Sequence, residues 1–368
     1  MRKIVKSPDA EASSGGTSLK LSERPTLETR KPKRNISISA KAWIALIPAL
    51  FFLTIFTVYP IINTTIIAFI NNFNWQDGAG SFALSNYFVQ LANSQNPDLL
   101  TPVTAPSFGF QNFYYVLTSS EFLRSLLNTA ILTLVSVPLT ILISLLIAVF
   151  LNSLKWMRGV YQTIFFLPYV TNTIALGMVF NVMLGPYESG LVNQFMSLFG
   201  VSARSWISTG ISGVIAPTRF TMGVAIITYT VWTGIAFKIL VFMSGLASID
   251  RQYYDAARID GSSRFTIFRR ITVPLLSPQL LYITITSFIG SFKAYTGVMS
   301  LFGNGSANNG AGDFGGASTT EWLTVVGYIY ANRQLRLPVA AAGSVVLLII
   351  ILFITVIQMQ VSKTRVHY

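Results

Sequence analysis

Lys238 and Lys293 each stand inside a long apolar stretch. A lysine at the centre of a membrane helix costs on the order of 2.5–3.5 kcal/mol on insertion scales, so a chain keeps one there for a purpose or lets its stem reach water. Lys293 has Tyr295 and Thr296 beside it, and Lys238 follows Trp232 and Thr233 by one to two turns. A cation that can bond hydroxyls or an anionic group, next to rings on which a sugar can stack, is chemistry for holding a small polar solute. Lys238 lies nearer a span end and can simply snorkel. Asn172 and Asn181, in the third apolar stretch, add amides that either meet solute or bond a neighbouring helix.

Other chemistry is excluded. The sole histidine is His367 and there is no cysteine, so Ser-His catalysis, thiolate metal sites and disulfides are ruled out. No Gly-x-x-x-x-Gly-Lys-Ser/Thr loop occurs, so the chain is not expected to bind ATP. The Gly-rich run Gly303 to Gly316 lacks the lysine and reads as a flexible loop. No catalytic carboxylate pair is apparent and no cofactor is implied. Any work the chain does must draw on a partner or a gradient.

The elements that position these residues are membrane helices. Of 368 residues, 52% are hydrophobic and 11% charged. A soluble domain carries roughly 25% charged residues, so much of this surface faces lipid. Blocks of about 20 apolar residues, enough for a bilayer core, predict six spans over residues 42–62, 126–151, 160–184, 220–246, 274–302 and 338–361. Ser287, Gly290, Ser291, Ala294 and Gly297, and Ala340 to Ser344, put small residues where helix backbones can approach. Trp75, Trp206 and Trp322 read as interfacial anchors.

The expected organisation is a disordered basic cytoplasmic tail over 1–41, then a first helix and long extracytoplasmic loop over 42–119. A five-helix core follows over 120–362, with a cytoplasmic segment at 247–273, and a short tail over 363–368. Six spans put both termini on one side. That side then carries nineteen lysines and arginines and the other five, which places it in the cytoplasm. The net charge of +13 is thus a matter of topology, since the basic residues share no soluble face, and a nucleic-acid partner is rejected.

Between the fourth and fifth spans, the sequence predicts two short helices. Asp250 can cap one beginning at Arg251, Gly261 can end it in a left-handed conformation, and Ser262 or Ser263 can cap the next. Phe265, Phe268 and Ile271 recur at three-residue steps and predict a shared apolar face, and Pro274 marks the entry to span five. An amphipathic elbow with a compact tip near Asp260 and Gly261 suits docking into another protein's groove.

Asp255-Ala256-Ala257, then Asp260-Gly261, then Phe268 and Pro274, resembles the EAA motif of permease subunits of binding-protein-dependent ABC importers. Leu127-Asn128-Thr129, Phe165 to Pro168, Ile289 to Phe292 and Val326 to Tyr330 are similar to the carbohydrate branch, the maltose and glycerol-phosphate type. The resemblance covers residues 42–362. It implies an all-α polytopic chain of the type I importer permease fold in the bacterial cytoplasmic membrane. It also implies import of a sugar or oligosaccharide by alternating access. The implied partners are a second related permease, two ATP-binding cassette ATPases that hydrolyse ATP, and an extracytoplasmic solute-binding protein. Asp255, Ala256, Ala257, Asp260, Gly261 and Ser262 would form the coupling helix that docks on an ATPase. Asp255 stands where the family usually has Glu and Ser262 where it usually has Ala. A non-sugar solute such as glycerol phosphate is an alternative within the family. A gradient-driven carrier is disfavoured, because no acidic residue falls within a span.

Overall fold

The protein is described by a computed structural model covering residues 38–74, 83–95, 105–154, 158–186, 190–207, 215–302, 321–333 and 336–363. The basic tail before residue 38, Trp75, Lys155 and the Gly-rich run after Phe302 lie outside the described residues.

Helix α1 (Ile38–Leu53) runs into a π-helical turn over Thr54–Val58. As far as Ile55 it is a unit of its own, and from Ala42 all its side chains are exposed. The helical run Ala42–Phe69 is 28 residues long with mean hydropathy 2.2. A helix that is apolar all round belongs in lipid.

The second unit begins at Phe56. Helix α2 (Tyr59–Phe69) leads into β1 (Ile70–Asn71), α3 (Ala83–Ser94), β2 (Ser107–Phe108) and α4 (Gln111–Thr118). Residues 71–120 are therefore not a plain loop. Ile70 pairs with Phe108 and Asn71 with Ser107, antiparallel. The amide of the buried Asn112 donates to the Ala68 and Ile70 carbonyls, both at 3.1 Å. The Gln90 side chain donates to Asn72 O and accepts from Asn74 N. Buried amides thus fold a stretch whose polar composition suggested only a connection, because they satisfy the backbone groups that its turns leave open.

Helix α5 (Ser120–Ser153) begins six residues before the expected span, capped by Ser119 Oγ, which accepts from Phe122 N. Its 34 residues span roughly 50 Å at 1.5 Å per residue, more than a hydrocarbon core requires. The third span is not one helix. Helices α6 (Arg158–Val170) and α7 (Thr173–Met183) meet at 96°. Pro168 and the non-helical Asn172 account for the break. Helix α8 (Leu191–Ser197) follows, then the long α9 (Arg219–Ser248). Beyond it come α10 (Arg251–Ile259), α11 (Arg264–Ile267), a π turn at Phe268–Thr272, and α12 (Val273–Leu275). Helix α13 (Ser277–Phe292) makes a 66° angle with the helical run Arg264–Leu275. Helices α14 (Thr296–Phe302), α15 (Val325–Asn332) and α16 (Leu337–Lys363) complete the described chain. By length and composition four helices can cross a membrane, and up to six spans result if each bent pair counts as one.

Helix α5 is the centre of the bundle, packed against α9, α13 and α15. Helix α7 packs on α14, and α16 packs on α2, α4 and α15. Small residues act here partly as expected. Ala340, Ala341 and Ala342 are buried, whereas Gly290 is exposed and a Cβ there would touch nothing within 4 Å. Among the described glycines the tightest approach is at Gly177 of α7, where an added Cβ would meet the Ser300 side chain and lie 2.9 Å from its backbone. Gly177→Val is expected to destabilise by about 1–3 kcal/mol through overpacking. A lowered unfolding temperature of the purified protein in detergent is the readout, with Gly290→Val as the control that changes little.

Candidate functional site

Two places bring the singled-out residues together. The first is the elbow between α9 and α13. The Asp250 carboxylate accepts from Gln252 N at 3.0 Å and caps α10. Gly261, at φ +71°, ends it. Gly261 N donates to Arg258 O and Ser262 N to Ala257 O, the double bond pattern of a Schellman turn. Ser263, rather than Ser262, caps α11 by accepting from Thr266 N. Asp255, Ala256, Asp260 and Gly261 are exposed, Ser262 is half-buried and Ala257 is buried. Asp255 and Arg258 form an exposed ion pair at 3.1 Å, a contact of the kind that contributes little to stability. Tyr254 and Thr272 hydroxyls lie 3.3 Å apart and tie the two arms of the elbow.

The apolar face differs from expectation. Phe268 packs against the cluster around Leu246, Leu276 and Ile283, but Phe265 is 70% exposed. The π turn over Phe268–Thr272 adds a residue to the helical turn and so breaks the three-residue count after Phe268. Phe265 stands outside with Ile259, 86% exposed, and Tyr253. The elbow therefore exposes large apolar side chains as well as Asp250, Asp255 and Asp260.

The second place is the end of α13. Lys293 is not inside a continuous helix but caps the C-terminus of α13, where the helix dipole favours a cation. It is exposed, and no hydrogen bond or ion pair reaches its ammonium among the described residues. Tyr295 follows in the break before α14 and stacks on Tyr330 of α15, with centroids 4.3 Å apart and planes at 10°. The Arg333 guanidinium lies over the Tyr330 ring at 5.0 Å. On α13 the exposed positions leading to Lys293 are Tyr282, Thr286 and Gly290, one turn apart. On α5 the exposed positions include Leu127, Leu134, Leu142 and Leu146. The second pattern suits lipid and the first does not.

The remaining candidates lie elsewhere. Trp232 is exposed on α9, and Lys238, half-buried, donates to Gly234 O at 3.1 Å on the same helix. The Asn172 side-chain oxygen accepts from Ile174 N at 2.8 Å and caps α7. Asn181 does bond across, to Leu301 O of α14. Trp322 and Trp206 are not simple surface anchors. Trp322 is buried and donates to Arg219 O, and Trp206 donates to Asn193 Oδ1.

A polar clamp, not singled out as a site from sequence, holds the chain that carries Tyr330. The Asn128 amide of α5 donates to Glu321 O at 2.9 Å and Leu323 O at 3.1 Å, and its oxygen accepts from Arg219 at 2.7 Å. Thr129 Oγ1 accepts from Val325 N, and Thr324 Oγ1 donates to Ala294 O in the break. Thr133 Oγ1 donates to Ser291 Oγ at 2.8 Å. The signal was present in the sequence: Ser125, Thr129, Thr133, Ser136, Thr140 and Ser144 recur at helical spacing, and all are buried.

These long and bent apolar helices define a polytopic membrane protein. Residues 118–366 match the family described as binding-protein-dependent transport system inner membrane component, and the chain belongs to that family. It is a multi-pass protein of the bacterial inner membrane. The arabinooligosaccharides transport system permease protein AraP of Bacillus subtilis is 31% identical over 68% of this chain and 74% of its own length. The trehalose/maltose transport system permease protein MalF of Thermococcus litoralis is 30% identical over 71% and 81%. In fold the chain is similar to a bacterial ABC transporter involved in the import of the acidic polysaccharide alginate. The TM-score is 0.67 at 20% identity, over 88% of this chain and 95% of that one.

Replacing Asn128 with Leu removes both bonds to the 321–323 carbonyls and leaves them unsatisfied, at about 1–3 kcal/mol. Hydrogen exchange at residues 323–332 is expected to accelerate by roughly 5- to 150-fold, with exchange in α10 unchanged.

Proposed function

We propose that the chain is one permease subunit of an ATP-driven importer of a sugar or oligosaccharide. The names of its relatives support the cargo, since AraP and MalF are named for arabinooligosaccharides and for trehalose and maltose. The family description supports delivery by a solute-binding protein. The observation that carries the mechanism is the elbow: a Schellman-closed tip with exposed acids and apolar side chains, built into a chain with no nucleotide loop of its own.

In this reading the core crosses the membrane six times, with α6 and α7 together, and the run from α11 through α13, each counted as one crossing. Both termini and the elbow lie in the cytoplasm, on the side richer in lysine and arginine. Two ATPase subunits hydrolyse ATP, and each half of the transporter has its own permease, so a second related permease pairs with this one. Asp255, Ala256, Ala257, Asp260, Gly261 and Ser262 seat in an ATPase groove, which covers Ile259 and Phe265. ATP closes the ATPase pair, and the closed pair favours one elbow position over the other, which supplies the bias for alternating access. The bent span carries that movement to Lys293 and Tyr295, which contact solute with Trp232, while Lys238 and Asn172 are held by contacts within their own helices.

The test is uptake into proteoliposomes holding the purified complex, with binding protein and ATP inside. Gly261→Val forces a β-branched residue into a left-handed conformation at the tip. It is expected to cut ATP-dependent uptake at least tenfold while ATPase activity persists. Lys293→Met is expected to impair uptake by a similar factor with the complex still assembled. Uptake that continues without ATP, or without the other subunits, contradicts the reading.

A further inference from the structure

We propose that the solute is anionic: a sugar bearing a carboxylate or phosphate. The inference rests on the sugar-importer reading above. Four observations carry it.

First, the apolar stretches contain two lysines and no aspartate or glutamate, so cationic charge in the membrane layer is not balanced within this chain. Pores that pass anions are built with Lys and Arg, and those that pass cations with Asp and Glu.

Second, the Lys293 ammonium is exposed and unanswered among the described residues, whereas Lys238 is answered by Gly234 O. The one ion pair among the described residues is Asp255 with Arg258, in the elbow. An exposed, unpaired ammonium facing hydrocarbon is costly, so this one faces water or an anion.

Third, Lys293, at the C-cap of α13, continues the exposed row Tyr282, Thr286 and Gly290, which lacks the leucines that mark the exposed face of α5.

Fourth, Arg333 brings a second cation to the same break through Tyr330 and Tyr295, and Arg333 is exposed. An aromatic pair with one cation over it and a second two residues along the chain suits a ring with an anionic substituent better than a neutral sugar, whose hydroxyls need no net charge.

The experiment uses the complete permease–ATPase complex in nanodiscs without the binding protein, so that the binding protein's own preference does not enter. Titration calorimetry at about 50 mM salt compares digalacturonate, glucose 6-phosphate and the neutral disaccharide digalactose. At least one anionic probe is expected to bind tenfold or more tighter than digalactose. Lys293→Met is expected to abolish that preference, Lys293→Arg to keep it, and Arg333→Gln to reduce it. Carboxylate and phosphate probes separate the two anion types. Equal or tighter binding of digalactose overturns the proposal, as does a preference that survives Lys293→Met combined with Arg333→Gln. Loss of the permease pair on size exclusion with Lys293→Met also overturns it, since Lys293 would then be answering a charge on the partner permease. Absence of binding by all three sugars strikes instead at the sugar-importer reading, and takes this inference with it.

Discussion

In hydrocarbon a hydrogen-bonding group has no water to turn to, so each one is satisfied inside the bundle or faces a wet space. Asn128 shows the first case. Its amide holds two carbonyls of the chain entering α15, and its oxygen holds Arg219. Because that chain is fixed, Tyr330 meets Tyr295, and the break after α13 has a defined shape. Lys293 shows the second case, an ammonium at that same break that no hydrogen bond or ion pair reaches among the described residues. The clamp and the lysine answer the same constraint in opposite ways, one by internal bonding and the other by exposure.

The bends follow from the same constraint. Non-helical backbone at membrane depth is tolerated where it is buried in protein or lines a cavity. At the α6–α7 break the Asn172 side chain caps the new helix, and Tyr229 donates to Thr173 O at 3.0 Å. At the α13–α14 break Thr324 takes up Ala294 O. Both breaks are stabilised by side chains rather than left open, which lets bent helices coexist with a long straight one such as α5.

Much of the elbow was legible in the sequence because its signals are local. Asp250, Gly261 and a serine cap act within four residues, and the structure keeps all three, with Ser263 as the cap. Apolar length placed the long helices α5, α9 and α16 for the same reason. What composition hid was long-range. Asn112 folds the 71–118 region by bonding a helix more than forty residues earlier, and Asn128 reaches a segment 193 residues away. The bends were missed because hydropathy is blind to direction: 160–184 and 274–302 are both predominantly apolar, with Pro168 and Asn172 at one bend and Pro274 and Pro278 flanking the other. The π turn at Phe268–Thr272 likewise defeated a simple three-residue count, and Phe265 is exposed rather than on a shared face with Phe268.

The central claim is mechanical: movement imposed at the elbow reaches the polar face of α13. The chain has no cysteine, so spin labels can be placed by substitution alone. Thr228→Cys on α9 and Gly290→Cys on α13 put labels on exposed positions of two helices, and an added side chain at Gly290 meets open space. Pulsed electron resonance on the assembled complex then gives the distance between them with and without trapped nucleotide. The account predicts that nucleotide shifts this distance by several ångströms, and that Gly261→Val abolishes the shift. A distance that ignores nucleotide in a complex that transports would contradict it.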